Sequence, residues 1–102
     1  MDLSFKTIAE LQEFLGERLK AMRIDRGLTQ SETAEKAGIS LRAAQKLEAG
    51  DGSSIETFLR FLKAIGRTDA LEILAPRPTV SPMAMLATQK QPMRVRHPRK
   101  KD

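Results

Sequence analysis

Helix-stop residues occur at Gly27, Gly38, Gly50, Gly66 and Pro76, and these constrain the fold more than any other feature of the chain. A glycine after an apolar-periodic run ends a helix by turning left-handed, and a proline cannot continue one. Helix starts alternate with these stops. Thr7 with Glu10, and Thr29 with Glu32, form T-x-x-E capping boxes, in which each side chain accepts a hydrogen bond from a first-turn backbone N–H. Ser40, then Ser53 with Glu56, then Thr68 or Asp69, supply the remaining caps. Between these marks Ile8, Leu11, Leu15, Leu19 and Met22 recur at steps of three and four, as do Ile55, Phe58, Leu59, Leu62 and Ile65. Five helices are therefore expected within residues 1–75. The first carries a weak point or bend at Gly16, the second is short with Ala34 and Ala37, the third runs Leu41 to Ala49, and the fifth runs Ala70 to Ala75. No strand is expected, and such short links make an all-α domain.

Charge divides the chain at the same place as the punctuation. Residues 1–74 hold eleven Lys or Arg against twelve Asp or Glu, a net −1. From Ala75 onward seven basic residues face Asp102 alone, a net +6. Pro76, Pro78, Pro82, Pro92 and Pro98 interrupt this segment, so only Met83 to Lys90 has room for two helical turns. Residues 76–102 therefore read as a Pro-rich basic tail, flexible or ordered by a partner. Arg94, Arg96, Arg99, Lys100 and Lys101 are its electrostatic residues, suited to nucleic acid or another anionic surface.

Several function classes are disfavoured by composition. The chain of 102 residues has no Cys, which removes disulfides and thiolate chemistry, and its one His, His97, lies in the tail. No metal site, no cofactor site and no ordered catalytic pair is expected, so the chain does not read as an enzyme. No apolar run is long enough to span a membrane, and MDLSFK lacks the order of a secretory signal. A cytoplasmic, nucleoid-associated protein is the expectation.

The stretch LTQSETAEKAGISLRAAQKLEAG, residues 28–50, carries the functional information. Its third-helix part places Ala44 and Leu47 toward the core, while Leu41, Arg42, Gln45, Lys46 and Ala49 share the opposite face. Ala34 is small enough for two helices to cross closely, Gly38 can take positive φ in the turn, and Ile39 plugs it. Arg42 can donate twice to guanine, Gln45 can pair with adenine, Lys46 can reach guanine or phosphate, and Leu41 can pack on a thymine methyl.

This stretch resembles the helix-turn-helix of the Xre family, which includes the phage lambda-type repressors and Cro proteins. Leu28, Thr29, Gln30, Ala34, Gly38, Ile39, Ser40, Leu47, Glu48 and Gly50 match the family pattern, and the similarity runs roughly from Leu15 to Leu74. The resemblance implies a five-helix lambda repressor-like DNA-binding domain over residues 1–75, with the helix-turn-helix at 29–50. It implies base reading by Leu41, Arg42, Gln45 and Lys46, and phosphate contacts by Thr29, Gln30 and Ser40. It also implies an ion pair between Arg23 and Glu48 that locks the first helix to the third. Where relatives carry larger aliphatic residues, Thr33 and Ala44 stand here, so Met22 or Phe58 is expected to fill the core. Ala49 and Asp51 replace residues that touch phosphate in relatives, which shifts that work toward the tail.

The function implied is a sequence-specific transcriptional repressor, bound as a homodimer to double-stranded DNA at an inverted repeat. Phe58, Phe61, Leu71, Ile73 and Leu74 are the expected dimer residues, with Phe58 and Leu62 more inward than Phe61. Size, domain and tail also resemble HipB-type antitoxins, which repress their own operon and bind a kinase-like, HipA-type toxin. In that reading Met83, Met85 and Leu86 anchor the partner. The alternatives are a stand-alone phage-type regulator and a protein–protein adaptor that keeps the helix-turn-helix shape without binding DNA.

Overall fold

The computed structural model describes residues 2–78 and contains five helices: α1 (Ile8–Asp25), α2 (Gln30–Ala37), α3 (Leu41–Ala49), α4 (Ile55–Ala64) and α5 (Ala70–Leu74). No strand occurs among the described residues. The tail residues Arg94, Arg96, Arg99, Lys100 and Lys101, and the anchor Met83, Met85 and Leu86, lie outside them.

Caps form where the first two boxes stand. Thr7 Oγ1 accepts from the Glu10 N–H at 3.1 Å while Glu10 accepts from the Thr7 N–H at 2.9 Å, and Thr29 with Glu32 repeats the exchange. Ser40 Oγ accepts from the Ala43 N–H and starts α3. The fourth and fifth starts differ from expectation. Ser54, not Ser53, caps α4 by accepting from the Thr57 N–H, while the Ser53 hydroxyl donates to the Ser54 carbonyl. Glu56 is thereby one position too early to close a box and pairs with Arg60 instead. Neither Thr68 nor Asp69 gives α5 a side-chain cap, because the Asp69 carboxylate is turned back to Arg67 at 3.0 Å. That bond holds the Asp69 carboxyl below its ordinary range.

α1 packs on α3, and α2 packs on both α3 and α4. The fully buried residues are Leu19, Ala44, Phe61, Leu62, Ile65 and the polar Thr33. The inward face of α4 is therefore Phe58, Phe61, Leu62 and Ile65, which is rotated from the expected stripe. Both stripes obey helical spacing, and packing decides between them. α2 brings the small side chains Thr33, Ala34 and Ala37 to its side of the core, and Phe61 of α4 turns fully inward to fill the space they leave. Phe61 is thus the principal filler of the core, with Met22 and Phe58 only partly buried against it. Its 0% exposure removes it from any dimer surface and reverses its expected order with Phe58.

α1 shows a related departure. Its buried residues are Gly16, Leu19 and Arg23, while Ile8 and Leu15 stay exposed. α1 runs through Gly16 without interruption, and the residue is a contact point. A Cβ there would stand 2.8 Å from Leu47 O and Glu48 C and closer still to Glu48 O. α1 and α3 cross backbone to backbone at this residue, which only glycine permits.

Candidate nucleic-acid interface

α2 and α3 are held at a fixed angle by the turn between them. Gly38 adopts φ +71°, and its N–H closes α2 on Ala34 and Glu35 while Ile39 N–H reaches Ala34 O at 3.0 Å. Such a double bond to the last carbonyls needs a left-handed residue, which glycine supplies without strain. Ile39 then packs partly buried against the core. Gly50 ends α3 the same way at φ +80°, with its would-be Cβ pressed within 3 Å of Glu13 backbone atoms.

The two faces of α3 separate cleanly. Ala44, Leu47 and Glu48 are buried; Leu41, Arg42, Gln45, Lys46 and Ala49 are exposed. The structure thereby brings Leu41, Arg42, Gln45 and Lys46 onto one surface, spaced so that three polar side chains and one apolar one project from successive turns. At the N-terminal ends of α2 and α3, Thr29 and Ser40 are exposed and already accept first-turn N–H groups. Their hydroxyl protons remain free to donate outward, next to first-turn N–H groups that have no intrahelical partner. Glu32 accepts from the Thr29 N–H, which holds its carboxyl below the ordinary 4.5.

Gln30 is placed differently from an open surface residue. It is half-buried, and its Nε2 donates to Glu48 Oε1 at 3.0 Å. Glu48 in turn accepts from Arg23 Nε at 2.5 Å and Arg23 Nη2 at 3.1 Å, and the third guanidinium nitrogen donates to Leu28 O at 2.6 Å. The side chains of Arg23 and Glu48 are only 8% and 3% exposed. Sequence reasoning named Arg23, Glu48 and Gln30 but did not connect the three. Gln30 and Glu48 lie 18 residues apart on different helices, so no helical spacing links them.

The C-terminal end of α3 has another character. Asp51 is exposed there, and Glu13 of α1 lies against Gly50. The Asp51 carboxylate beside the negative end of a helix repels phosphate, so the N-terminal half of this surface is the more favourable one for an anion. Among the described residues no group of His, Asp and Glu is arranged to hold a metal, and no helix is long and apolar enough to cross a membrane.

Comparison with known proteins gives one family: the helix-turn-helix family designated HTH_3 matches residues 19–73, more than half of the chain. The match begins within α1 and ends in α5, so it takes in the Gly38 turn, the α3 face and the Arg23–Glu48 pair. No curated protein matches the chain.

Proposed function

The chain belongs to the Xre/lambda repressor-like helix-turn-helix family and is a DNA-binding transcriptional regulator, and on that premise we propose that it is a sequence-specific repressor acting as a homodimer on an inverted repeat. One α3 contacts only a few base pairs, so useful discrimination requires two half-sites about one DNA turn apart. The observation that carries the reading is the split of α3, with Arg42, Gln45 and Lys46 exposed opposite the buried Ala44, Leu47 and Glu48. Arg42 and Gln45 read bases, Lys46 reads a base or a phosphate, and Leu41 packs on thymine. Thr29, Ser40 and the Glu48-held amide of Gln30 position the phosphates on either side.

The tail completes the proposal. A domain of net −1 gains little from non-specific attraction, and the +6 of the following residues supplies it. A finer role is the antitoxin of a HipA-type toxin–antitoxin operon that represses its own promoter, with the apolar Met83, Met85 and Leu86 offered to a kinase-like toxin. Sequence size and tail composition support that role. The adaptor alternative lacks comparable support, since it would leave idle a face on which Arg42, Gln45 and Lys46 are exposed.

The test begins with an operator selected from a random DNA pool. Arg42→Ala should relax discrimination at one base position by about 1–3 kcal/mol while leaving other positions unchanged. An equal loss on every sequence would assign Arg42 to phosphate and overturn its base-reading role. Failure of the full chain to enrich any sequence would overturn the repressor reading itself.

A further inference from the structure

Two apolar stripes keep their outer halves uncovered. Phe5 is 92% exposed, Ile8 and Ile55 are 72%, and Leu15 and Leu59 are 39%. Ile8 and Leu15 share one stripe of α1, Ile55 and Leu59 share one stripe of α4, and Leu15 and Ile55 line the same groove. α1 passes the end of α3 at Gln12 and Glu13, beside Gly50, so the turn carrying Ile8 lies past the end of α3. Beside this projection a groove of about 210 Å³ opens between α1 and α4. Leu47 floors it, Leu15 lines one wall, Ile55 and Phe58 line the other, and the loop from Gly50 to Ser54 closes its end.

We propose that this face binds a second copy of the chain, the Phe5–Ile8 projection of each protomer lying over the α1/α4 groove of the other about a two-fold axis. The inference deepens the proposed homodimer by naming its surface, and it rests on that reading only for the biological use of the dimer. Ile8 and Leu15 are seven residues apart with Leu11 between, the 3–4 spacing of a helix-pairing seam. The five exposed side chains present on the order of 600 Å², the upper end of what a monomer leaves uncovered and close to one side of a standard interface. A self-paired interface must place knob and hole on the same patch of one protomer, and this face has both. A foreign peptide, or the chain's own tail, would fill the groove and leave Phe5 and Ile8 in water; a second copy covers both at once. Ile73 and Leu74 of α5 are also exposed, but they are only two side chains on a five-residue helix.

The experiment is sedimentation velocity on the full chain at micromolar concentration, with far-UV melts to verify that each variant folds. Wild type should sediment at twice the chain mass. Ile8→Glu and Ile55→Glu should each weaken the dimer by at least about 100-fold, since each buries a carboxylate against apolar surface, whereas Ile73→Glu should leave it intact. Because the chain has no Cys, an Ile8→Cys protein mixed with an Ile55→Cys protein should form a disulfide between the two under mild oxidation. A wild type of single-chain mass, a dimer that survives both Glu substitutions, or one broken by Ile73→Glu would overturn the proposal. Operator titration separates the two readings. Dimers that enrich no DNA sequence leave this surface standing and sink the repressor, while monomers that enrich a half-site sink this surface and the homodimer but leave sequence-specific DNA binding standing.

Discussion

Truncation of Glu48 is the sharpest perturbation the structure offers, because the residue is buried one position from the exposed face of α3 and pairs inside the protein. In Glu48→Ala the Arg23 guanidinium stays buried and loses two of its three acceptor contacts, keeping Leu28 O alone. Gln30 loses its partner too. Breaking a buried pair by removing one member costs about 3–5 kcal/mol, whereas an exposed pair is worth less than about 1 kcal/mol. For a domain of this size each kcal/mol moves the melting midpoint by roughly 4–8 °C, so the buried case predicts a fall of at least about 12 °C. Far-UV circular dichroism during thermal and urea unfolding reads this directly. The same melts at 1 M salt add a control, since a surface pair is screened away and a buried one is not. Replacing both residues, Arg23→Met with Glu48→Met, should recover much of the loss, because no unpaired charge then remains inside. A Glu48→Ala loss below about 1 kcal/mol, or a double variant as damaged as the sum of the singles, would refute the locking role.

Three further outcomes follow from other contacts. Gly16→Ala should destabilise by about 1–3 kcal/mol despite alanine's better helix propensity, because the new Cβ collides with the α3 backbone; a stabilised variant in the same melts would refute the close crossing. Thr33→Val should be neutral or stabilising by up to about 2 kcal/mol, since the buried Thr33 Oγ1 has no hydrogen-bond partner and the methyl removes an unmet demand; a clear loss would show that the hydroxyl is satisfied in solution. The Glu10 and Glu32 carboxyls are held below the ordinary 4.5 by the backbone N–H groups of Thr7 and Thr29. A folded value below the unfolded one stabilises above the ordinary value and loses that contribution as pH falls through the folded value. The melting midpoint should therefore hold from neutral pH to about 5 and drop below it, with a shallower drop in Glu10→Gln with Glu32→Gln.

Helix boundaries, the turn and the exposed face of α3 were legible because each depends on a local rule. Thr7, Thr29 and Ser40 cap where a side-chain oxygen precedes a first turn, and Gly38 and Gly50 stop helices where φ turns positive. Ser53 and Ser54 satisfy the same rule equally, so only the packing of α4 could choose between them. The stripe of α4 is the same problem at larger scale: Ile55, Phe58, Leu59, Leu62 and Ile65 and Phe58, Phe61, Leu62 and Ile65 are both periodic. What selects the second is the small side-chain surface of α2, a neighbour in space and not in sequence. The packing role of Gly16 was not legible for a related reason. Periodicity treats a glycine inside a helix as a weakness, while its value here lies in what α3 places against it. The apolar excess of the first and fourth helices was visible in the sequence, but which side chains are left over was not.

The position of the leftover apolar residues bears on how the reader is aimed. Glu48 binds Arg23 of α1 through both oxygens and Gln30 of α2 through one, so a single carboxylate fixes α3 against the two helices that precede it. The Gly16 crossing fixes the same helix a second time from the α1 side. α3 is therefore rigid with respect to α1, and α1 carries the Ile8 projection. A dimer built through that projection would transmit its geometry along one continuous helix of 18 residues to the reader, with no flexible link between. The spacing between two reader helices would then be set by the pairing of α1 with its partner's groove and not by the basic tail. On the proposed reading the basic residues after α5 would supply charge without defining the register.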